Sequence, residues 1–173
     1  VPGRLERINA GQPFTVIVDY AFEPLAVSKL YETVATLPHN RIIHVLGSAG
    51  GGRDRSRRSV LGELAGRRSD IMIVTDEDPY DENPETIIAE VAAGAASTDK
   101  RLNVDLFTYI DRRQAIHSAL AQAEAGDVVL ITGKGSEQAI CRARGVKEVW
   151  DDRKVSREEL EHLGYQTVDK SVD

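Results

Sequence analysis

Residues 1–20 read VPGRLERINAGQPFTVIVDY. A basic, Gly-bearing opening leads through Glu6 and Arg7 to a turn at Asn9–Pro13. A short apolar run, Phe14–Asp19, follows and gives way at once to Tyr20-Ala21 and a helical pattern near Pro24–Thr36. A run this apolar, rich in Val and Ile, reads as a strand buried on both faces. Strand and helix patterns go on alternating along the chain, with no internal repeat. Further runs at Arg41–Leu46, Ile71–Thr75, Val104–Tyr109 and Val128–Thr132 alternate with helical segments near Arg57–Arg68, Asn83–Ala96 and Asp111–Ala125. Pro24 and Pro84 suit the first turns of their helices, and Asn83 and Asp111 suit N-caps. Alternation of this kind predicts an α/β fold: a Rossmann-like, doubly wound, mostly parallel sheet with helices on both faces.

Composition narrows the class. The 173 residues suit a single domain over 1–173 with a real core, and the polar tail 164–173 is expected to fray. Hydrophobic residues make up 41% and charged residues 29%, which is ordinary for a globular chain. The net charge of −6 argues against nucleic acid as a partner. The single cysteine, Cys141, cannot form an internal disulfide, which fits a reducing cytoplasm. No apolar run reaches the roughly 18–20 residues of a membrane helix, and no signal peptide is visible. The first residue is Val1 rather than Met, which suggests a processed or excised domain. The four histidines are scattered and give no metal-ligand spacing, so no metal site is expected.

The residues with chemistry all fall just after strands. Asp19 closes the first run, Gly47–Arg58 follows the second, Asp76–Tyr80 the third and Gly133–Glu137 the fifth. A doubly wound sheet gathers such positions on its carboxyl edge. Gly50, Gly51 and Gly52 permit close backbone approach, and Arg53, Arg55, Arg57 and Arg58 open a helix whose N-terminus favours anions. The same loop also reads as a flexible turn ahead of a solvated basic helix. It is not a P-loop, since no G-K-[ST] follows. Asp19 reads either as a hydroxyl acceptor or as a cap in the strand–helix turn. The acidic stretch Asp76–Glu82 reads either as an ammonium-favouring box or as a solvated loop capping the next helix. Lys134 reads as facing a nucleotide or as exposed.

Taken in order, these pieces resemble the C-terminal domain of the Mur ligases. Within that family they look most like the MurE type, which adds a diamino acid to a UDP-linked muramyl dipeptide. The family pattern V-P-G-R-x-E followed by D-Y-A-H-x-P appears here as Val1–Glu6 and Asp19–Pro24, with Phe22 in place of the histidine. Gly47–Arg58 resembles the Gly-rich D-R-D-x-x-K-R loop, and Val74–Tyr80 lies where the D-N-P-R box falls. Gly133–Glu137 resembles G-K-G-H-E with Ser136 for the histidine, and Asp151-Asp152-Arg153 matches the closing D-D-R.

The resemblance implies roles. Arg4 and Asp19 would contact ATP, the aspartate through ribose hydroxyls. Arg53 would hold the carboxylate of the incoming amino acid, and Gly133 and Glu137 its amino end, with Asp78, Pro79 and Tyr80 lining the same pocket. In diaminopimelate-adding members the box ends in an arginine that binds the second carboxylate. Tyr80 carries no such charge, which points toward L-lysine or a similar diamine-bearing amino acid. ATP and Mg²⁺ would be the cofactors. The Mg²⁺ ligands, the phosphate loop and the UDP-sugar site would belong to a central and an N-terminal domain outside this chain, so no catalytic residue is expected here and the chain alone should not turn over. The implied chemistry is peptidoglycan synthesis by an ATP-dependent amide ligase in the cytoplasm. The implied partners are ATP, UDP-muramyl dipeptide, a diamino acid and the protein's own central domain. Two other readings remain open. One is a domain of another Mur-type or cyanophycin-synthetase-like ligase; the other is a non-catalytic nucleotide- or anion-binding module on the same fold.

Overall fold

The computed structural model describes residues 1–166; part of the tail assigned to 164–173 therefore lies outside the described residues. Six strands make one sheet: β1 (Glu6–Arg7), β2 (Thr15–Asp19), β3 (Ile42–Leu46), β4 (Ile71–Thr75), β5 (Leu106–Tyr109) and β6 (Val128–Thr132), in the order β1-β2-β6-β3-β4-β5. All neighbours are parallel except β1, which pairs antiparallel with β2 at the edge. Every residue of β3, β4 and β6 is buried, which explains why those runs show no alternation.

Five helices cover the sheet: α1 (Pro24–Ala35), α2 (Ser56–Arg68), α3 (Pro84–Gly94), α4 (Arg112–Gln122) and α5 (Asp152–His162). The cores divide by face. Val27, Leu30, Leu61, Ala65, Ile88 and Val91 of α1–α3 pack with Ile17, Met72 and Leu130 on one side. Ala115, Ile116, Ala119, Leu120, Val155 and Leu160 of α4 and α5 pack with Val18, Val45 and Ile131 on the other. Asn83 and Asp111 cap α3 and α4 by accepting from the amides of Glu85 and Arg113, and Pro24 and Pro84 sit in first turns.

Residues 138–150, to which the sequence reading gives no element, form a small hairpin of β7 (Ala139–Cys141) and β8 (Lys147–Val149). Its turn rests on two left-handed residues, Arg144 (φ 58°) and Gly145 (φ 73°), a backbone twist that suits a tight hairpin.

This topology fixes where a ligand can sit. The chain leaves β2 and β3 toward the α1–α3 face, whereas after β6 it runs through the hairpin to α5 on the opposite face. A crevice therefore opens at the carboxyl end of β6, where connections diverge to opposite sides.

Candidate functional site

That crevice holds a cavity of about 390 Å³. Arg53, Asp78, Tyr80, Gly133 and Glu137 all line it, so the loops after β3, β4 and β6 converge there. Pro79 does not line it. It is buried beneath the Gly-rich loop, where a Cβ on Gly50 would lie 2.3 Å from its carbonyl oxygen. A second groove of about 430 Å³ is lined by Arg4 and Asp19. Tyr20 and Phe22 line both spaces and form the wall between them. The two rings meet edge to face at 5.3 Å, with the Arg4 guanidinium 5.5 Å from the Tyr20 ring and that of Arg57 5.9 Å from the Phe22 ring. Phe22 thus keeps an aromatic stack flanked by cations.

The opening segment is tied to the turn after β6. A Cβ on Gly3, at φ 71°, would meet the Ser136 amide nitrogen at 2.1 Å, so only glycine permits this approach. Asp19 serves the same assembly rather than capping α1, whose N-cap is Glu23. One Asp19 oxygen accepts from the Leu5 amide and the other from the Ala21 amide, each at 2.8 Å. Each oxygen retains a lone pair for a hydroxyl in the groove.

The acidic loop is not a solvated run. Arg142 on the hairpin pairs with buried Asp76. Asp81 accepts from the Arg144 amide at 2.8 Å, and Glu82 pairs with Arg58 at 2.8 Å. Asp78 accepts from the Cys141 amide at 2.8 Å and from Lys134 Nζ at 2.9 and 3.0 Å through its two oxygens. Lys134 is not exposed. It is wholly buried, and its Nζ also reaches Glu137 Oε2 at 2.6 Å. Burial pulls this ammonium down, but its bonds to Asp78 and Glu137 outweigh that and hold it above the ordinary lysine value.

Glu77 is the carboxylate left over. It is 5% exposed, lines the cavity, and its Oε2 has no hydrogen-bond partner. Burial pushes its carboxyl up to about 7; Arg112 and Lys134 oppose the shift, while Asp78 and Glu137 add to it. Gly133, at φ 107°, lies against it, since a Cβ there would come within 2.5 Å of Glu77 Oε2. Sequence reasoning passed over Glu77 because it counted the acids of the stretch together. Only the partners sort them.

Two buried arginines hold the cavity's supports. Arg112 is bidentate to Asp152 at 2.7 and 2.8 Å and donates to the carbonyls of Asp76 and Thr132, both at 2.9 Å. It thereby ties the ends of β4 and β6 to the starts of α4 and α5. Arg58 donates to the Ala49 carbonyl at 3.2 Å as well as to Glu82 and Glu90, which pins the Gly-rich loop. Of the four loop arginines, Arg55 also pairs with Glu90, and Arg57 lies 3.7 Å from Glu23. Arg53 is exposed and, among the described residues, makes no ion pair; Lys147 of β8 is a second such cation on the cavity wall. No group of three or more His, Cys, Asp or Glu able to hold a metal ion occurs among the described residues.

An acid-floored cavity rimmed by arginine, beside an aspartate-lined groove at a sheet's switch point, defines an α/β binding domain suited to a ligand with both ammonium and carboxylate groups. Residues 3–135 match the family described as Mur ligase, glutamate ligase domain, and the chain belongs to that family. It is 49% identical over 166 residues to the UDP-N-acetylmuramyl-tripeptide synthetase of Roseiflexus sp. (strain RS-1), covering 95% of this chain and 32% of that protein. It is 42% identical over 160 residues to the UDP-N-acetylmuramoyl-L-alanyl-D-glutamate–2,6-diaminopimelate ligase of Syntrophomonas wolfei, covering 92% and 32%. A solved structure of a UDP-N-acetylmuramoyl-L-alanyl-D-glutamate–2,6-diaminopimelate ligase superposes with a TM-score of 0.83 at 31% identity, over 96% of this chain and 33% of that one. The chain thus spans about a third of the length of the curated relatives it matches. Among the described residues, no helix is long and apolar enough to cross a membrane.

Proposed function

We propose that this chain is the amino-acid-binding domain, and one wall of the ATP site, of an ATP-dependent ligase that adds a diamino acid to UDP-N-acetylmuramoyl-L-alanyl-D-glutamate in peptidoglycan synthesis. The observation that carries the reading is the convergence of Arg53, Asp78, Tyr80, Gly133 and Glu137 on one cavity that shares its Tyr20–Phe22 wall with the groove of Arg4 and Asp19. Arg53 offers a planar fork to the amino acid's carboxylate. The free oxygen of Glu77 and the outward part of Glu137 offer acceptors to its ammonium groups. Arg4 and Asp19 receive the nucleotide, the aspartate through ribose hydroxyls. ATP would activate the glutamate carboxylate of the muramyl dipeptide as an acyl phosphate. The amine held in this cavity would then attack it, forming the amide and releasing phosphate. By the family resemblance, Mg²⁺ ligands would lie in the rest of the protein. ATP and UDP-linked substrates suit a cytoplasmic protein.

Tyr80 decides between amino acids. It lines the cavity where a second carboxylate would need a cation, and it supplies one hydroxyl donor. A lost charge-assisted bond costs on the order of 1.5–3 kcal/mol, roughly 10- to 150-fold in affinity. The full-length enzyme should therefore show a higher kcat/KM for L-lysine or L-ornithine than for meso-diaminopimelate, and Tyr80→Arg should narrow or reverse that order. Arg53→Ala should weaken every amino-acid substrate. A wild-type preference for meso-diaminopimelate would mean that another cation, Lys147 for example, serves the second carboxylate.

A further inference from the structure

Lys134 does not line the cavity, yet it makes three close contacts just behind its wall. Its Nζ bridges both oxygens of Asp78, on the loop after β4, and Glu137 Oε2, on the turn after β6, with its side chain 0% exposed. These loops lie 56 residues apart in sequence, and among the described residues no other side chain bonds both carboxylates. Without a cation between them the two carboxylates would repel each other and add their charge to that of Glu77 on the cavity wall. We propose that Lys134 is a positioning residue for amino-acid recognition: a built-in ammonium that commits Asp78 to the protein, anchors one oxygen of Glu137, and so fixes which carboxylate oxygens a ligand can reach. The Glu137 side chain is 40% exposed, so it stays open to a ligand, with the Tyr20 hydroxyl close beside its carboxylate. Asp78 is thereby part of the scaffold, doubly held by Lys134 and the Cys141 amide, and reaches a ligand through shape rather than charge. The other ionisable groups that feel the ammonium are Glu77 and Tyr20.

This rests on the amino-acid role proposed for the cavity, and steady-state kinetics on the full-length enzyme separates the two. If the wild type ligates no amino acid, the role of the cavity fails. If it does, Lys134→Met should raise the KM for the amino acid at least about tenfold while the KM for ATP stays within about twofold, because one oriented, charge-assisted contact is lost on the amino-acid side alone. Lys134→Met leaves two unbalanced acids and can impair folding, so the charge-balanced pair Lys134→Met/Asp78→Asn serves as the second variant. It should show the same selective rise, since Glu137 has still lost its anchor. Adding Glu137→Gln to either variant should cost less than Glu137→Gln costs in the wild type. An unchanged amino-acid KM in the balanced pair, an equal rise for ATP and the amino acid, or strict additivity with Glu137→Gln would each overturn the proposal.

Discussion

Glu77 is held in the folded chain at a cost that its position explains. It lies on the cavity floor with one oxygen unpartnered, and burial raises its carboxyl from the ordinary 4.5 to about 7. The folded state therefore binds its proton more tightly than the unfolded chain does. Its contribution favours folding below the unfolded value and is lost as pH rises through the folded one, by on the order of 3 kcal/mol over the whole window. Replacing Glu77 by Gln keeps the shape and removes the charge. The variant should gain in thermal stability relative to the wild type as pH rises from 5 to 8, while binding an ammonium-bearing amino acid more weakly. Such a gain in stability with a loss of binding is the usual mark of a residue retained for its ligand. Thermal unfolding of both proteins from pH 5 to pH 8 checks this. A stability difference that does not change with pH would mean that Glu77 ionises as an ordinary glutamate in the folded state.

The five parallel strands of the sheet were legible as apolar runs, whereas the edge strand β1, only two residues long and with neither residue buried, was not. β3, β4 and β6 read as continuous apolar runs since both faces are covered, and Asn83 and Asp111 marked helix starts by the bonds they make. The convergence of loops on one edge followed from the strand reading alone. The hairpin β7–β8 was not legible. Its strands are three residues each, β8 is exposed throughout, and its turn carries Arg144-Gly145 rather than a commoner hairpin pair. Helix α5 was matched as a motif but not as a helix, because its buried face includes Asp152, Ser156 and Glu159 beside Val155 and Leu160. Charge partners were hidden for a different reason. Lys134 with Asp78, Arg112 with Asp152 and Arg142 with Asp76 are joined across 56, 40 and 66 residues, and no local pattern encodes which opposite charge will meet which. Contact between α2 and α3 is likewise invisible until the helices meet. A Cβ on Gly62 would lie 1.8 Å from the Val91 carbonyl oxygen, and one on Gly94 would lie 2.1 Å from that of Ser59. These are backbone atoms and cannot rotate aside. Gly62→Ala should therefore destabilise the domain by roughly 1–3 kcal/mol by overpacking, despite alanine's better helix propensity. Glu63→Ala, on the exposed side of the same turn, should change stability by about 0.5 kcal/mol or less. Chemical denaturation of the two variants gives the comparison, and equal effects would show that the helices can separate freely.

As a whole, the molecule has what folding needs, and in the proposed function it would hold one side of the ligation site. Apolar clusters on both faces of the sheet give it a complete core, with Val129 and Ile131 packed on one side and Val128 and Leu130 on the other. The chain should therefore unfold cooperatively on its own. Its chemistry is one-sided. The sequence contains no G-x-x-G-K-[ST] loop to cradle phosphates, and the cavity and groove lie side by side at the carboxyl edge with exposed Arg4 and Arg53 at their rims. In the proposed function these residues orient an amine and a ribose, which lowers no barrier until an activated acyl group is brought to them, and closure over a second domain is the ordinary way to bring it. The isolated chain should accordingly bind ATP weakly at most and release no phosphate from it, with or without a diamino acid, while the full-length protein releases phosphate in step with amide formation. Phosphate release and ATP titration on the isolated chain test this directly. Turnover by the chain alone would place the phosphate-handling machinery among these residues, and the Gly47–Arg58 loop, with its glycines and exposed Arg53, would then be the first segment to examine by substitution.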